Sequence, residues 1–215
     1  CESLLIPDLL AVKGAYWASQ LLGFRQAKAA VPVGSHAVDY WRSLRSPSAK
    51  ASELKHIVVT SQGFAVAEMI TWLQQAIAKA PATMDWRITL KLHPMYDKRQ
   101  DFEALAATNE RVRILTGQEN PCIYELLTTA DLHLSITSAC HFDAAAMGVR
   151  SAMMPLQNHE SLMYAVNDEI VQLVKQPGDI WQLLTKISPK PDEEQFCISG
   201  YTERMITVLQ HNFGL

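Results

Sequence analysis

His93 is followed by Pro94 and preceded by an alternating run, Trp86-Arg87-Ile88-Thr89-Leu90-Lys91-Leu92, that reads as a strand. Pro94 lacks an N–H and restrains His93 to an extended conformation, so an imidazole projects from the strand end with limited freedom. Such an imidazole can donate to a phosphate oxygen and, when charged, stabilise a departing nucleotide. A capping or surface histidine is the bland alternative. Further along, Ser135-Ile136-Thr137-Ser138 closes a second strand-like run ahead of a helical segment. Its hydroxyls, with the unpaired N–H groups and positive end of that helix, suit a diphosphate. Ser138 also fits a plain N-cap. His141 and Asp143 fall on the first turns of the helix; His141 could reach a ligand there, but a solvent-facing position is the expectation.

Three more loops follow strand-like runs. Thr60-Ser61-Gln62-Gly63 holds a glycine that permits close backbone approach or simply makes a turn. Gly117-Gln118-Glu119-Asn120-Pro121 could contact a base through backbone groups, although Pro121 at a first helical position needs no ligand. Gln157-Asn158-His159-Glu160 places a carboxylate in the first turn of a helix. There is no full Gly-x-Gly-x-x-Gly, so a dinucleotide is not indicated.

The elements that must position these residues alternate. Strands are expected at His56–Thr60, Trp86–Leu92, Val112–Leu115, Asp131–Ser135, Ala152–Leu156 and Ile170–Val174. Helices are expected at Phe64–Lys79, with Val66, Met69, Ile70, Leu73 and Ile77 on its apolar face, and at Arg99–Thr108 and Pro121–Thr129. More follow at Ala139–Met147, Glu160–Asn167, Asp179–Ile187 and Glu193–Phe213. Alternation of this kind implies right-handed βαβ units: an α/β fold, a Rossmann-like parallel sheet with helices on both faces. Residues 46–215 are expected to form that domain. Residues 1–45, with a strand at Asp8–Lys13, a helix at Tyr16–Leu22 and a strand at Ala29–Val33, are too few for a domain of their own. They read as the end of an upstream α/β domain, followed by a polar linker over Ser43–Glu53. Without a covering domain or subunit, Tyr16, Trp17, Leu21 and Leu22 are expected to expose an apolar patch.

Among 215 residues, 48% are hydrophobic, and 19 basic against 22 acidic residues give a net charge of −3. No basic block marks a nucleic-acid surface, and no apolar stretch is long enough to span a bilayer. Cys1, Cys122, Cys140 and Cys197 are too dispersed for a zinc or thioredoxin-like motif and read as reduced thiols.

The βα series from about Asp8 to Asn167 resembles the C-terminal, nucleotide-binding half of a GT-B fold glycosyltransferase. The front piece, Asp8–Gly14 with Tyr16-Trp17 and Val31-Pro32-Val33-Gly34-Ser35, is similar to the passage leaving the N-terminal domain of such enzymes. Within the class, His93-Pro94 and Ser135–Ser138 resemble the His-Pro pair and Ser/Thr-rich loop of CDP-glycerol glycerophosphotransferases and bacterial sialyl- and polysialyltransferases. The resemblance implies a catalytic role for His93 and donor binding by Pro94, Gly63, Ser135, Thr137, Ser138 and Glu160, with Glu160 accepting from the two ribose hydroxyls. It implies a nucleotide-activated donor, CMP or CDP type favoured over UDP, a glycan acceptor, and no metal or other cofactor. No Asp-x-Asp occurs, and helix dipoles can neutralise a leaving diphosphate without a cation. The general base is expected in the N-terminal domain. The expected location is cytoplasmic, with room for peripheral association at the inner membrane face. Two alternatives stay open: a non-catalytic nucleotide- or sugar-binding module working with a separate subunit, and a nucleotide-sugar epimerase of the same fold.

Overall fold

The computed structural model describes residues 7–23, 28–45, 53–116, 121–186 and 190–214. The chain begins with β1 (Leu9–Val12), α1 (Ala15–Gly23), β2 (Ala29–Pro32) and α2 (His36–Ser43). Next come β3 (Lys55–Thr60), α3 (Val66–Ala78), β4 (Trp86–Lys91), α4 (Arg99–Ala107), β5 (Val112–Leu115) and α5 (Ile123–Thr129). The series continues through β6 (Leu132–Ser135), α6 (Cys140–Ala146), β7 (Arg150–Met153), a 3-10 turn (His159–Leu162), α7 (Met163–Asn167), β8 (Gln172–Leu173) and α8 (Asp179–Thr185). Last are α9 (Glu193–Phe196) and α10 (Tyr201–Phe213). Two compact units result: Arg45–Pro191, and Cys1–Leu44 together with Asp192–Leu215.

The larger unit is a parallel sheet in the order β5-β4-β3-β6-β7-β8. The chain winds outward from β3 to β5, crosses back, and winds the other way from β6 to β8. The reversal lies between β3 and β6, and open α/β sheets bind ligands beyond the carboxyl ends of strands at such a point.

Side chains alternate across a strand, and here the two faces differ in chemistry. Ile57, Val59, Ile88, Leu90, Ile114, Leu132 and Leu134 join Met69, Trp72 and Leu73 of α3, Phe102 and Leu105 of α4, and Ile180 and Trp181 of α8 in one apolar core. Burying each large side chain of this kind contributes about 1.5–3 kcal/mol. Alternate positions bury His56, Thr60, Thr89, Lys91, His133, Ser135 and Ser151 on the other face. There Val58 packs with Leu115 of β5 and Leu126 of α5. The buried polar groups are tolerable because they satisfy one another. His56 Nε2 bonds Thr89 Oγ1 at 2.9 Å, while its Nδ1 faces Thr129 Oγ1 at 3.0 Å and the Arg87 guanidinium at 3.3 Å.

Several boundaries differ from the sequence expectation for local reasons. α3 starts at Val66 rather than Phe64 because Ala65 adopts a left-handed φ of 50°. β7 spans Arg150–Met153, not Ala152–Leu156: it pairs with β6, which ends at Ser135 opposite Met153. A 3-10 turn replaces the start of the expected helix at Glu160. The final helix breaks into α9 and α10, with Gly200 at φ 84° between them.

In the smaller unit β1 and β2 pair in parallel, from Leu9 with Ala29 to Val12 with Pro32. Helix α2 has no counterpart among the expected elements, and it supplies the residues that hold the chain's end. Arg42 donates to the Glu193 carbonyl at 2.8 Å and to Glu194 Oε1 and Ser199 Oγ at 3.2 Å each. Asp39 Oδ2 accepts from the N–H groups of Gly200 and Tyr201 at 3.0 and 2.8 Å, capping α10 from a distant part of the chain. Gly14 lies so close to the Gln195 and Phe196 backbone that a Cβ there would overlap it. The final helices thus belong with the front piece, where 46–215 was expected to form one domain. Of the expected patch, Tyr16 is 7% exposed, its ring 5.2 Å from that of Phe196, while Trp17 and Leu21 are half-buried. Most of the expected linker, residues 46–52, lies outside the described residues.

Candidate functional site

Three adjacent strands, β4, β3 and β6, end in the loops that carry most of the expected site residues. His93 lies two residues past β4. Its N–H donates to Asp97 Oδ2 at 2.7 Å. Its Nδ1 accepts the Met95 N–H at 3.2 Å, a turn built around Pro94, and its ring stacks on Tyr96. Gly63, past β3, adopts φ 76°, and a Cβ there would overlap the Tyr96 Cβ. Here the glycine is required twice, by its backbone angle and by the contact.

Asp97 joins these loops. Its carboxylate accepts from Ser61 Oγ at 2.6 Å, from the Gly63 N–H at 3.1 Å and from the His93 N–H at 2.7 Å. Gln62 makes the matching tie to β6, its Oε1 accepting the Thr137 N–H at 2.8 Å. Neither Asp97 nor Gln62 was singled out from the sequence. A carboxylate three residues after His93-Pro94, ahead of a helix, was the available signal for the first.

The Ser135–Ser138 loop divides by role. Ser135 is 0% exposed and donates to the Thr60 carbonyl at 2.7 Å, so its hydroxyl ties β6 to β3. Thr137 is half-buried beside Gln62, with Thr137 Oγ1 3.3 Å from Gln62 Nε2. Ser138 Oγ accepts the Cys140 N–H at 3.2 Å from one residue ahead of the N-cap, which is Ala139. The Ser138 and Ala139 N–H groups have no partner among the described residues.

Beneath this loop runs a buried relay that the sequence did not reveal. His141 was expected to face solvent, yet it is 0% exposed. Its Nε2 lies 3.3 Å from the Ile136 carbonyl, which can only accept, so that nitrogen carries the proton. His141 Nδ1 then accepts from Ser151 Oγ at 2.6 Å, Ser151 Oγ accepts from His133 Nδ1 at 2.7 Å, and His133 Nε2 accepts from Thr60 Oγ1 at 3.0 Å. Every donor and acceptor is used when both rings are neutral. Burial lowers His141 to about 4, and burial with the neighbouring His141 lowers His133 well below its ordinary value. The relay anchors Ile136, and with it the loop, to the sheet.

Glu160 follows β7, in the 3-10 turn. Its side chain is 73% exposed, 3.4 Å from His159 Nδ1, and that nitrogen also bonds the Leu156 carbonyl at 2.9 Å. The Glu160 carboxylate is therefore open to solvent. Gly117–Asn120 lies outside the described residues, so the backbone contact expected of that loop does too. Among the described residues, no group of three or more His, Cys, Asp or Glu is arranged to hold a metal ion. No helix among them is long and apolar enough to cross a membrane.

No protein-family model matches the chain, and no curated protein matches its sequence. Solved structures do. UDP-GlcNAc 2-epimerase from Neisseria meningitidis, bound to UDP-GlcNAc, matches with a TM-score of 0.61 at 15% identity, over 91% of this chain and 59% of that one. MurG from Acinetobacter baumannii matches with a TM-score of 0.57 at 16% identity, over 97% and 67%. The wall teichoic acid polymerase TagF matches with a TM-score of 0.50 at 13% identity, over 94% and 51%. The chain thus spans 51% to 67% of the length of these three. All three neighbours are GT-B fold enzymes, and the expected α/β architecture stands as a GT-B type fold matching their C-terminal-like half. They do not single out a CDP-glycerol or sialyltransferase type.

Proposed function

We propose that residues 45–191 bind the donor in a GT-B type transferase, which moves a sugar or polyol-phosphate unit from a pyrimidine nucleotide to a glycan acceptor. One observation carries this reading: the loops after β4, β3 and β6 flank the winding reversal and are tied together by Asp97 and Gln62. The phosphates lie between His93 and the Thr137–Ala139 backbone, where the unpaired Ser138 and Ala139 N–H groups donate to anionic oxygen. The open Glu160 carboxylate takes the ribose diol. Pro94 acts by holding the His93 turn. The acceptor oxygen attacks the donor carbon, or the phosphorus of a polyol-phosphate donor, and the bond to the nucleotide oxygen breaks. The acceptor's proton goes to a base outside this unit. The smaller unit is the end of an acceptor-side domain or the docking point of a separate subunit. We further propose cytidine over uridine, on the His93-Pro94 resemblance, and no requirement for metal, since helix dipoles can neutralise a leaving diphosphate.

A second reading, a nucleotide-sugar epimerase, is favoured by the likeness to an epimerase bound to UDP-GlcNAc. Calorimetric titration of the chain with CMP, CDP, UMP and UDP, without metal, tests the first reading. Binding of a cytidine nucleotide, weakened about tenfold or more in His93→Ala, is expected. Preference for UDP would move the assignment to the second reading, and binding of none would overturn both.

A further inference from the structure

We infer that Tyr96 is a positioning residue for His93, and that the Tyr96 stack and the Met95 amide together set the imidazole to present Nε2–H, a donor, at the strand end. The inference rests on the reading of His93 as a ligand contact and assigns its chemistry.

The Met95 N–H points at His93 Nδ1 at 3.2 Å, so that nitrogen offers its lone pair and the proton of the neutral ring sits on Nε2. A half-turn about the Cβ–Cγ bond would put a C–H where Nδ1 stands and lose the bond. Tyr96 holds the plane: the rings are stacked with centroids 4.5 Å apart and 18° between planes, in the range where aromatic pairs attract. Tyr96 is itself seated. Its Cβ lies where a side chain at Gly63 would be, and the next residue, Asp97, bonds the Gly63 N–H and the His93 N–H. Tyr96 is 64% exposed, so its ring can be removed without opening the core.

The chemical consequence is specific. A neutral ring with its proton on Nε2 donates to an acceptor oxygen, as a phosphate provides, and has no lone pair there to take a proton from an acceptor hydroxyl. His93 is therefore a hydrogen-bond donor to the leaving group and not the general base.

The test is imidazole ¹⁵N spectroscopy of the ligand-free full chain at neutral pH, with the His93 signals assigned by their loss in His93→Gln, alongside nucleotide titration. Wild type and Tyr96→Phe should show a protonated Nε2 and a bare Nδ1. Tyr96→Ala should show averaged tautomers and a nucleotide affinity about three- to tenfold weaker, with Tyr96→Phe within about twofold of wild type. A wild-type ring protonated at Nδ1, or a Tyr96→Ala variant whose His93 signals match wild type, would overturn the inference. If no variant binds nucleotide, the donor-binding reading falls, while the tautomer spectra still decide the role of Tyr96.

Discussion

Gln62 reaches across the boundary between β3 and β6 and accepts the Thr137 N–H at 2.8 Å. These strands are neighbours in the sheet and distant in the chain, and the loops after them belong to the two opposite winding directions. A crevice at such a reversal needs something to set its width, and Gln62 spans it. Gln62→Ala should lower the unfolding free energy by about 1 kcal/mol and speed hydrogen exchange at the Thr137 amide. A Thr137 amide that stays as protected as in wild type would show that Gln62 does not hold the loop.

Asp97 gathers three donors from two loops, so its replacement should be felt in both. Asn keeps the shape and turns one acceptor oxygen into a donor, facing it against an N–H or O–H. Asp97→Asn should lose about 1–3 kcal/mol in urea unfolding. A loss no larger than an ordinary surface change, about 0.5 kcal/mol, would contradict the tie.

Gly63→Ala should destabilise through both the positive φ and the overlap with Tyr96. The atom struck is the Tyr96 Cβ, which alanine retains. Removing the ring in Gly63→Ala/Tyr96→Ala should therefore give no relief, and the cost of Gly63→Ala should agree in the two backgrounds within about 0.5 kcal/mol. Clear rescue by Tyr96→Ala would mean that the ring, not the backbone approach, sets the constraint.

Much of this arrangement was legible in the residues because it is local. The alternation of Trp86–Leu92, the stop at His93-Pro94 and the four-residue repeats of Phe64–Lys79 are short-range signals of strand, strand end and helix. What escaped depends on pairing between distant segments. Ser135 and Thr137 have similar side chains two positions apart, and only the neighbouring β3 shows that one hydroxyl is buried against Thr60 while the other sits beside Gln62. His141, on α6, looked like a surface residue because its partner Ser151 lies on a strand, β7. The placement of α9 and α10 with the front piece depends on Asp39 and Arg42, in a helix the hydrophobic pattern did not announce.

Acid should destabilise the larger unit well before its carboxylates protonate. Burial holds His56 and His141 at about 4, with the Arg87 charge adding to the effect at His56. The unfolded chain returns both to about 6.5. Above that value both states are neutral. As pH falls from there toward 4 the unfolded state takes protons that the folded state refuses, so stability is lost across this window, on the order of 3 kcal/mol per ring. His133 adds in the same direction. Urea unfolding at about pH 7.5 and about pH 5 should show a clear drop, and a flat profile would contradict neutral buried rings.

Amide chemical-shift mapping with CDP and UDP tests the central claim most directly, because it reads where a nucleotide binds as well as whether it does. The largest changes should fall on Gly63, Thr137, Ser138 and Ala139 and vanish in His93→Ala. Shifts centred elsewhere, such as Arg99 and Arg113 near the β5 edge, or a pattern unchanged in His93→Ala, would show that the donor site is not at the β3–β6 reversal.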